Sequence, residues 1–228
     1  MAIDRKAFFD SIRNGIFHGR LKQSQVDGLN VILDAWEATG LQDLRWLAYI
    51  LATVAIETGM RYQPIREIGT HAYFTRLYDI LGQNPARART MGNTAAGDGA
   101  RYRGRGFVQI TWKNNYARYR DEVEKLFGVD ILEDPDAALR PDVAAYILID
   151  GMVKGAFTGK KLADFFNAHT TDWRNARRII NGLDKADLIA SIAKEFYADL
   201  VTAAGTDHST ESPSLQPQDD EETWPVEA

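Results

Sequence analysis

The sequence predicts an all-α protein with at most a minor β element. Three observations carry this expectation. The stretch LRWLAYILATVAIE, residues 44 to 57, is apolar nearly all round, as a helix is when it runs through the middle of a domain. Apolar residues at helical spacing, bounded by capping residues or glycines, recur from end to end of the chain. Alternation at period two occurs in one short run, FVQIT at 107 to 111.

Taken in order, the first helix carries Phe8, Phe9 and Ile12 and stops at Asn14-Gly15. The second reads SQVDGLNVILDAWEATG, with Ser24 and Asp27 as a capping pair, a stripe of Val26, Leu29, Leu33 and Trp36, and Gly40 as its end. In the central helix Leu44, Leu47, Ala48, Leu51 and Ala55 form one stripe, and Trp46, Ile50 and Val54 a second. Gly59 stops it and Pro64 prevents a restart. Residues 73 to 81 give a helix through Phe74, Leu77, Tyr78 and Leu81, closed by Gly82. Residues 92 to 106 contain five glycines with Arg101, Arg103 and Arg105, and predict a loop. In FVQIT, Phe107, Gln109 and Thr111 would point one way and Val108 and Ile110 the other, as in a short strand. Tyr116, Tyr119, Val123 and Leu126 then form a helical stripe, and Pro141 opens a helix running to Gly151. LADFFN makes a short helical turn, Asp172 caps WRNARRII, and Asp184 caps a last helix carrying Leu188, Ile192, Phe196 and Leu200.

The chain has 228 residues, 45% of them hydrophobic, enough for a substantial core. Residues 1–203 read as one catalytic domain. Residues 204–228 turn to Ser, Pro, Gln and seven acids without Lys or Arg, and predict a disordered acidic tail. Net charge is −5, but without that tail 27 basic residues face 25 acidic ones, too even a balance for a nucleic-acid partner. There is no cysteine, hence no disulfide and no thiolate metal site, and the four histidines lack metal-ligand spacing. No signal peptide and no 18-residue apolar run is visible. The expectation is synthesis in the cytoplasm, no stable membrane insertion, and neither metal nor cofactor.

Glu57 continues the Trp46–Ile50–Val54 stripe to the end of a buried helix. Burial and the negative end of a helix dipole both oppose ionisation, which suits a general acid. The plainer reading is a helix-end glutamate paired with Arg61 or Arg66. Glu67 lies ten residues on, beside Arg66 and beyond Pro64, and reads as a solvated carboxylate able to act as a base. Two carboxylates in different environments are the minimum equipment for glycoside hydrolysis. Gln109 and Thr111, with Asn114 and Asn115 following, could hold a water or a sugar hydroxyl, or form the polar side of a half-buried strand.

ETG at 57 to 59, PIRE at 64 to 67, YRGRGFVQITWKNNY at 102 to 116 and RRIING at 177 to 182 occur in this order. Together they resemble the family 19 glycoside hydrolases, the chitinases and their relatives among phage and prophage endolysins. The resemblance runs from about residue 44 to 200. It implies a lysozyme-like two-lobed helical fold, with Glu57 as general acid, Glu67 as base and Thr111 helping to position the attacking water. Gln109, Asn115, Tyr116, Asn181 and Arg105 would bind substrate. Ile56 stands where a His commonly precedes the acid, and Asn114 where plant chitinases have Tyr. These departures point away from the plant enzymes, towards the endolysin branch. The implied function is inverting hydrolysis of β-1,4 bonds in peptidoglycan by a monomer that reaches the wall with the help of a holin. The alternatives are a chitinase acting on N-acetylglucosamine polymers and a non-catalytic wall-binding protein on the same scaffold.

Overall fold

The computed structural model describes residues 2–205. All of the predicted tail beyond Gly205 lies outside the described residues. Along the chain run α1 (Arg5–Asn14), α2 (Gln23–Ala38), α3 (Leu44–Glu57), β1 (Ile65–Arg66), α4 (His71–Tyr78), α5 (Pro85–Thr90) and α6 (Asp98–Arg101). They are followed by β2 (Arg105–Gly106), α7 (Lys113–Phe127), α8 (Pro141–Lys154) and α9 (Ala186–Ala203). Three 3-10 turns, at Pro135–Leu139, Leu162–Asp164 and Asn175–Ile179, complete the order. The strands pair antiparallel into a ribbon of two residue pairs, so the protein is helical with a minor β element, as expected. The chain divides into two compact units: residues up to Tyr62 together with those from Leu148 onward, and residues Gln63–Ile147.

The first unit is built to bury α3. Every residue from Leu44 to Ala55 is buried, which leaves no face for water. Its start is fixed by Asp43, whose side chain accepts from Arg45 N at 3.0 Å. Trp46 spends its indole N–H on the Phe166 carbonyl at 3.0 Å, so that buried ring strands no donor. Helix α9 packs along α3 and also against α1. Its Phe196 stacks with Phe8 (centroids 6.3 Å apart) and meets Tyr62 edge-on at 6.4 Å. After Glu57 the chain reverses sharply. Gly59 takes φ +58°, and so, less comfortably, do Met60 at +62° and Tyr62 at +52°. Non-glycine residues reach that region only when the surroundings over-determine it. Here Thr58 Oγ1 donates to Val54 O and accepts from Tyr62 N, and Gln25 Nε2 donates to Met60 O at 2.7 Å.

In the second unit α7 buries the predicted stripe of Tyr116, Tyr119, Val123 and Leu126. Helix α4 packs on α6, and the 3-10 turn Pro135–Leu139 packs on β2. Gly82 follows α4 so closely that a Cβ there would come within 2.2 Å of the Thr75 carbonyl.

Several expectations are corrected. FVQIT is not a strand. Arg105 and Ile110 exchange both backbone hydrogen bonds, closing a tight loop, and Gln109 sits at φ +55°. Phe107 and Ile110 are buried together, although period two would send them to opposite faces. The predicted loop 92–106 contains α6, and α5, opened by Pro85, was not foreseen. Helix α2 begins before Ser24: Gln25 reaches back to accept from Lys22 N at 2.8 Å. Helix α8 runs three residues past Gly151. WRNARRII forms a 3-10 turn rather than a helix, though Asp172 does accept from Asn175 N. The last helix starts at Ala186, without Asp184 as its cap. Leu81 and Leu188 face solvent instead of the core, 69% and 51% exposed.

Phe196→Ala should therefore strike the cluster that seals the first unit. A loss of about 3–5 kcal/mol in urea-induced unfolding is expected for an aromatic removed from such a site, and a loss below about 1 kcal/mol would show that α9 does not seal it.

Candidate active site

Glu57 is the last residue of α3, its side chain 22% exposed. Arg177, in the 3-10 turn Asn175–Ile179, donates from Nη1 to Glu57 Oε1 at 2.6 Å. The Arg177 side chain is 4% exposed, and its Nε donates to the Asp184 carbonyl at 3.1 Å. The partner of Glu57 is thus neither Arg61 nor Arg66, but a buried guanidinium 120 positions away. Sequence reasoning missed this residue, although RRIING was singled out. The available signal was an arginine placed between the apolar Ala176 and Ile179, masked by a second arginine, Arg178, beside it. Asn181 is exposed; its Oδ1 accepts from Gly182 N, and its own N–H bonds Arg177 O. Arg177 therefore fixes both Glu57 and the loop that carries Asn181.

Glu67 belongs to the second unit, directly after β1. It is half-buried rather than solvated. Tyr78 at the end of α4 donates its hydroxyl to Oε1 at 2.8 Å, and Gly104 N donates to Oε2 at 3.0 Å. Glu67 N returns a bond to Gly104 O at 2.8 Å, extending the ribbon by one step. A Cβ on Gly104 would lie 2.9 Å from Gln109 Oε1 and 3.2 Å from Glu67 Oε2, so glycine is what lets the carboxylate lie against this backbone. Burial first, then the bond to Glu67, pushes the Tyr78 phenol above its ordinary value, which keeps it a donor at neutral pH. Tyr78 was read from the sequence only as part of an apolar stripe.

Around Glu67 the GRGFVQITWKNNY stretch folds back on itself. Gln109 Nε2 donates to the Ile65 and Gly106 carbonyls at 2.7 and 3.0 Å, tying the loop to both strands. Thr111 Oγ1 donates to Gln109 O at 3.0 Å, and Asn115 Nδ2 donates to Thr111 O at 2.6 Å. All three side chains are half-buried. Trp112, at φ +79°, packs edge-on against Tyr78 with centroids 5.0 Å apart.

The substrate-binding roles expected of Arg105 and Tyr116 do not fit their surroundings. Tyr116 is fully buried, which pushes its phenol up to about 12, and its hydroxyl donates to Arg103 O at 2.8 Å. The Arg105 side chain is 4% exposed. It donates to Asp136 Oδ1 at 2.7 Å, to the Arg101 and Arg103 carbonyls, and to the Tyr116 hydroxyl. These two residues brace the loop from behind. Each unit thus offers one carboxylate on a fixed backbone with a defined donor, Glu57 in the first and Glu67 in the second. Among the described residues no cluster of metal-binding side chains occurs.

The sequence matches no protein-family model and no curated protein. Among solved structures, chitinase C from Streptomyces griseus HUT6037 is similar over 92% of this chain and 95% of that one, at 21% identity and a TM-score of 0.50. The chain shares the fold of chitinase C. A mutant of chitinase C is similar over the same shares, at 20% identity and a TM-score of 0.46. The chitinase C likeness agrees with the helical, lysozyme-like fold class expected from the sequence.

Asp136 provides a test of the bracing. Burial alone would raise its carboxyl, but the hydrogen bonds and charges of Arg105 and Arg66 outweigh this and hold it below the ordinary 3.8. Its stabilising effect is therefore fully present above that value and lost as pH falls through the lower, folded-state value. Because Asp136 is half-exposed, Asp136→Asn should cost only about 1 kcal/mol at pH 7. Urea titrations of both proteins should converge at strongly acidic pH; a difference that persists there would mean that the charge is not what matters.

Proposed function

We propose that the chain is a glycoside hydrolase of the family 19 type that cleaves β-1,4 bonds of peptidoglycan with inversion. The observation that carries the reading is the setting of Glu67. The motif by which the sequence resembles the family meets this one carboxylate, with Gly104 bonded to it, Gln109 beside Gly104, and Thr111 and Asn115 linked in turn to Gln109. In the proposed reaction Glu57 gives its proton to the glycosidic oxygen as the bond from that oxygen to the anomeric carbon breaks. Glu67 takes a proton from the water whose oxygen bonds to that carbon. Glu57 ends as a carboxylate and Glu67 as an acid, and exchange with solvent resets both. Arg177, already 2.6 Å from Glu57 Oε1, meets the carboxylate left when the proton has gone. Tyr78 and Gly104 fix the lone pairs of Glu67, and Thr111 and Asn115 supply polar atoms for the water and the sugar.

Chitin is the alternative substrate, favoured by the name of the similar solved structure. The departures at Ile56 and Asn114 favour peptidoglycan. In the endolysin reading the protein acts on the wall as a monomer and leaves the cytoplasm through a holin. Mass spectrometry of the fragments released from purified peptidoglycan, beside a chitin-oligomer control, decides between the substrates.

Glu57→Gln should abolish turnover, since Gln keeps the shape and removes the proton; it lowers stability by unpairing Arg177, so a helical circular dichroism spectrum at the assay temperature must accompany the rate. Glu67→Gln should be severe and Thr111→Ala milder. The double variant should be little worse than Glu67→Gln alone, because residues that share one water act as a unit. Steady-state rates on solubilised peptidoglycan measure this; multiplicative losses would assign Thr111 to the fold or to the sugar. Turnover by Glu67→Gln at the wild-type rate would remove Glu67 from the mechanism.

A further inference from the structure

We infer that Arg103 is a specificity-determining residue that takes a carboxylate carried by the substrate, and so favours peptidoglycan over chitin. The inference rests on the glycan-hydrolase reading above and names the chemical group that separates the two polymers. Chitin is a neutral chain, whereas the peptides borne by peptidoglycan carry carboxylates.

The argument begins in the ribbon. Arg66 and Arg105 stand directly opposite each other across β1 and β2, and like charges in that register repel. Asp136 relieves them: Oδ1 accepts from Arg105 Nε and Oδ2 from Arg66 Nη2, each at 2.7 Å. Each of its oxygens then carries one arginine bond. Arg103 lies two residues before Arg105, beside the same cluster. Its guanidinium sits over the Phe74 ring, 5.3 Å from the centroid, and Nη1 donates to Ala100 O at 2.6 Å. Among the described residues it has no carboxylate within ion-pair distance. Glu67, which bonds Gly104 next to Arg103 in the fold, gives its oxygens to Tyr78 and Gly104. Three guanidiniums thus surround one carboxylate, and Arg103 is the one that feels its charge without a hydrogen bond to it.

The electrostatics agree. Burial first, then the charges of Arg105 and Arg66, holds the Arg103 guanidinium below its ordinary value. A cation disfavoured by its neighbours gains most from an added anion. Arg103 is only half-buried, and none of its nitrogens is both sealed from water and without a partner. A planar guanidinium fork that is partly open to solvent can donate to a carboxylate arriving from outside. Its position matters as much as its charge, since it adjoins Gly104, whose N–H holds the proposed base.

The test is binding, measured by calorimetry on the Glu67→Gln protein so that no turnover intervenes. The probes are a peptide-bearing muramyl oligosaccharide, the same fragment with its carboxylates amidated, and an N-acetylglucosamine oligomer. The native fragment should bind about tenfold tighter than the amidated one, the worth of one charge-assisted hydrogen-bonded pair. Adding Arg103→Gln should erase that difference and leave the N-acetylglucosamine oligomer unaffected, while Arg103→Lys should retain part of the preference. Equal affinity for native and amidated fragments, or a loss from Arg103→Gln that falls equally on all three probes, would overturn the inference. Failure of the unmodified protein to cleave either polymer would overturn the hydrolase reading instead, since the carboxylate preference is measured without cleavage.

Discussion

A helix without a wettable face dictates much of this molecule. From Leu44 to Ala55 each side chain of α3 is withdrawn from water, so α9 must run along it and the Phe8–Phe196–Tyr62 aromatic cluster must close around the same core. Burial of a large side chain is worth about 1.5–3 kcal/mol, and so many together leave the helix no alternative position. The consequence for chemistry is positional. Glu57 sits on the last turn of a helix buried as far as Ala55, and Arg177 approaches it from a turn anchored by the buried Ala176 and Ile179.

The second unit reaches the same end by different means. Its ribbon has only two residue pairs, too few to be stable in water unaided. Side chains stand in for the missing length. Asp136 clamps both strands by their arginines, Gln109 bonds a carbonyl on each strand, and Glu67 adds a rung through Gly104. The carboxylate proposed to do the chemistry is thus part of the framework that positions it.

Much of this was readable from the chain. Helices α3 and α7 were legible because their apolar periodicity is sustained over 14 and 15 residues, and tertiary packing had only to confirm it. FVQIT was misread because two bonds between Arg105 and Ile110 outweigh a local preference for extended chain. Nothing local announces a left-handed Gln or Trp, as it would a glycine. Glu57 and Glu67 stood out by position and resemblance, but their partners did not. Tyr78, Gly104 and Arg177 lie 11, 37 and 120 positions from the carboxylates they bind. Leu188 and Arg105 show the converse error: spacing proposed a core residue and the resemblance a sugar contact, and the fold put the first in solvent and the second in the interior.

Gln25 has a wider reach than its place near the surface suggests. Its oxygen closes the start of α2 at Lys22, and its nitrogen holds the Met60 carbonyl in the left-handed turn that follows Glu57. The glutamine amide accepts at its oxygen and donates at its nitrogen, so one side chain serves both segments. The first turn of α2 and the reversal after α3 are consequently ends of a single tether. Fraying at one releases the other, so backbone amides in the two segments should exchange with solvent in a common local opening event. The strained reversal behind Glu57 therefore draws its persistence partly from a helix terminus 35 residues earlier in the chain.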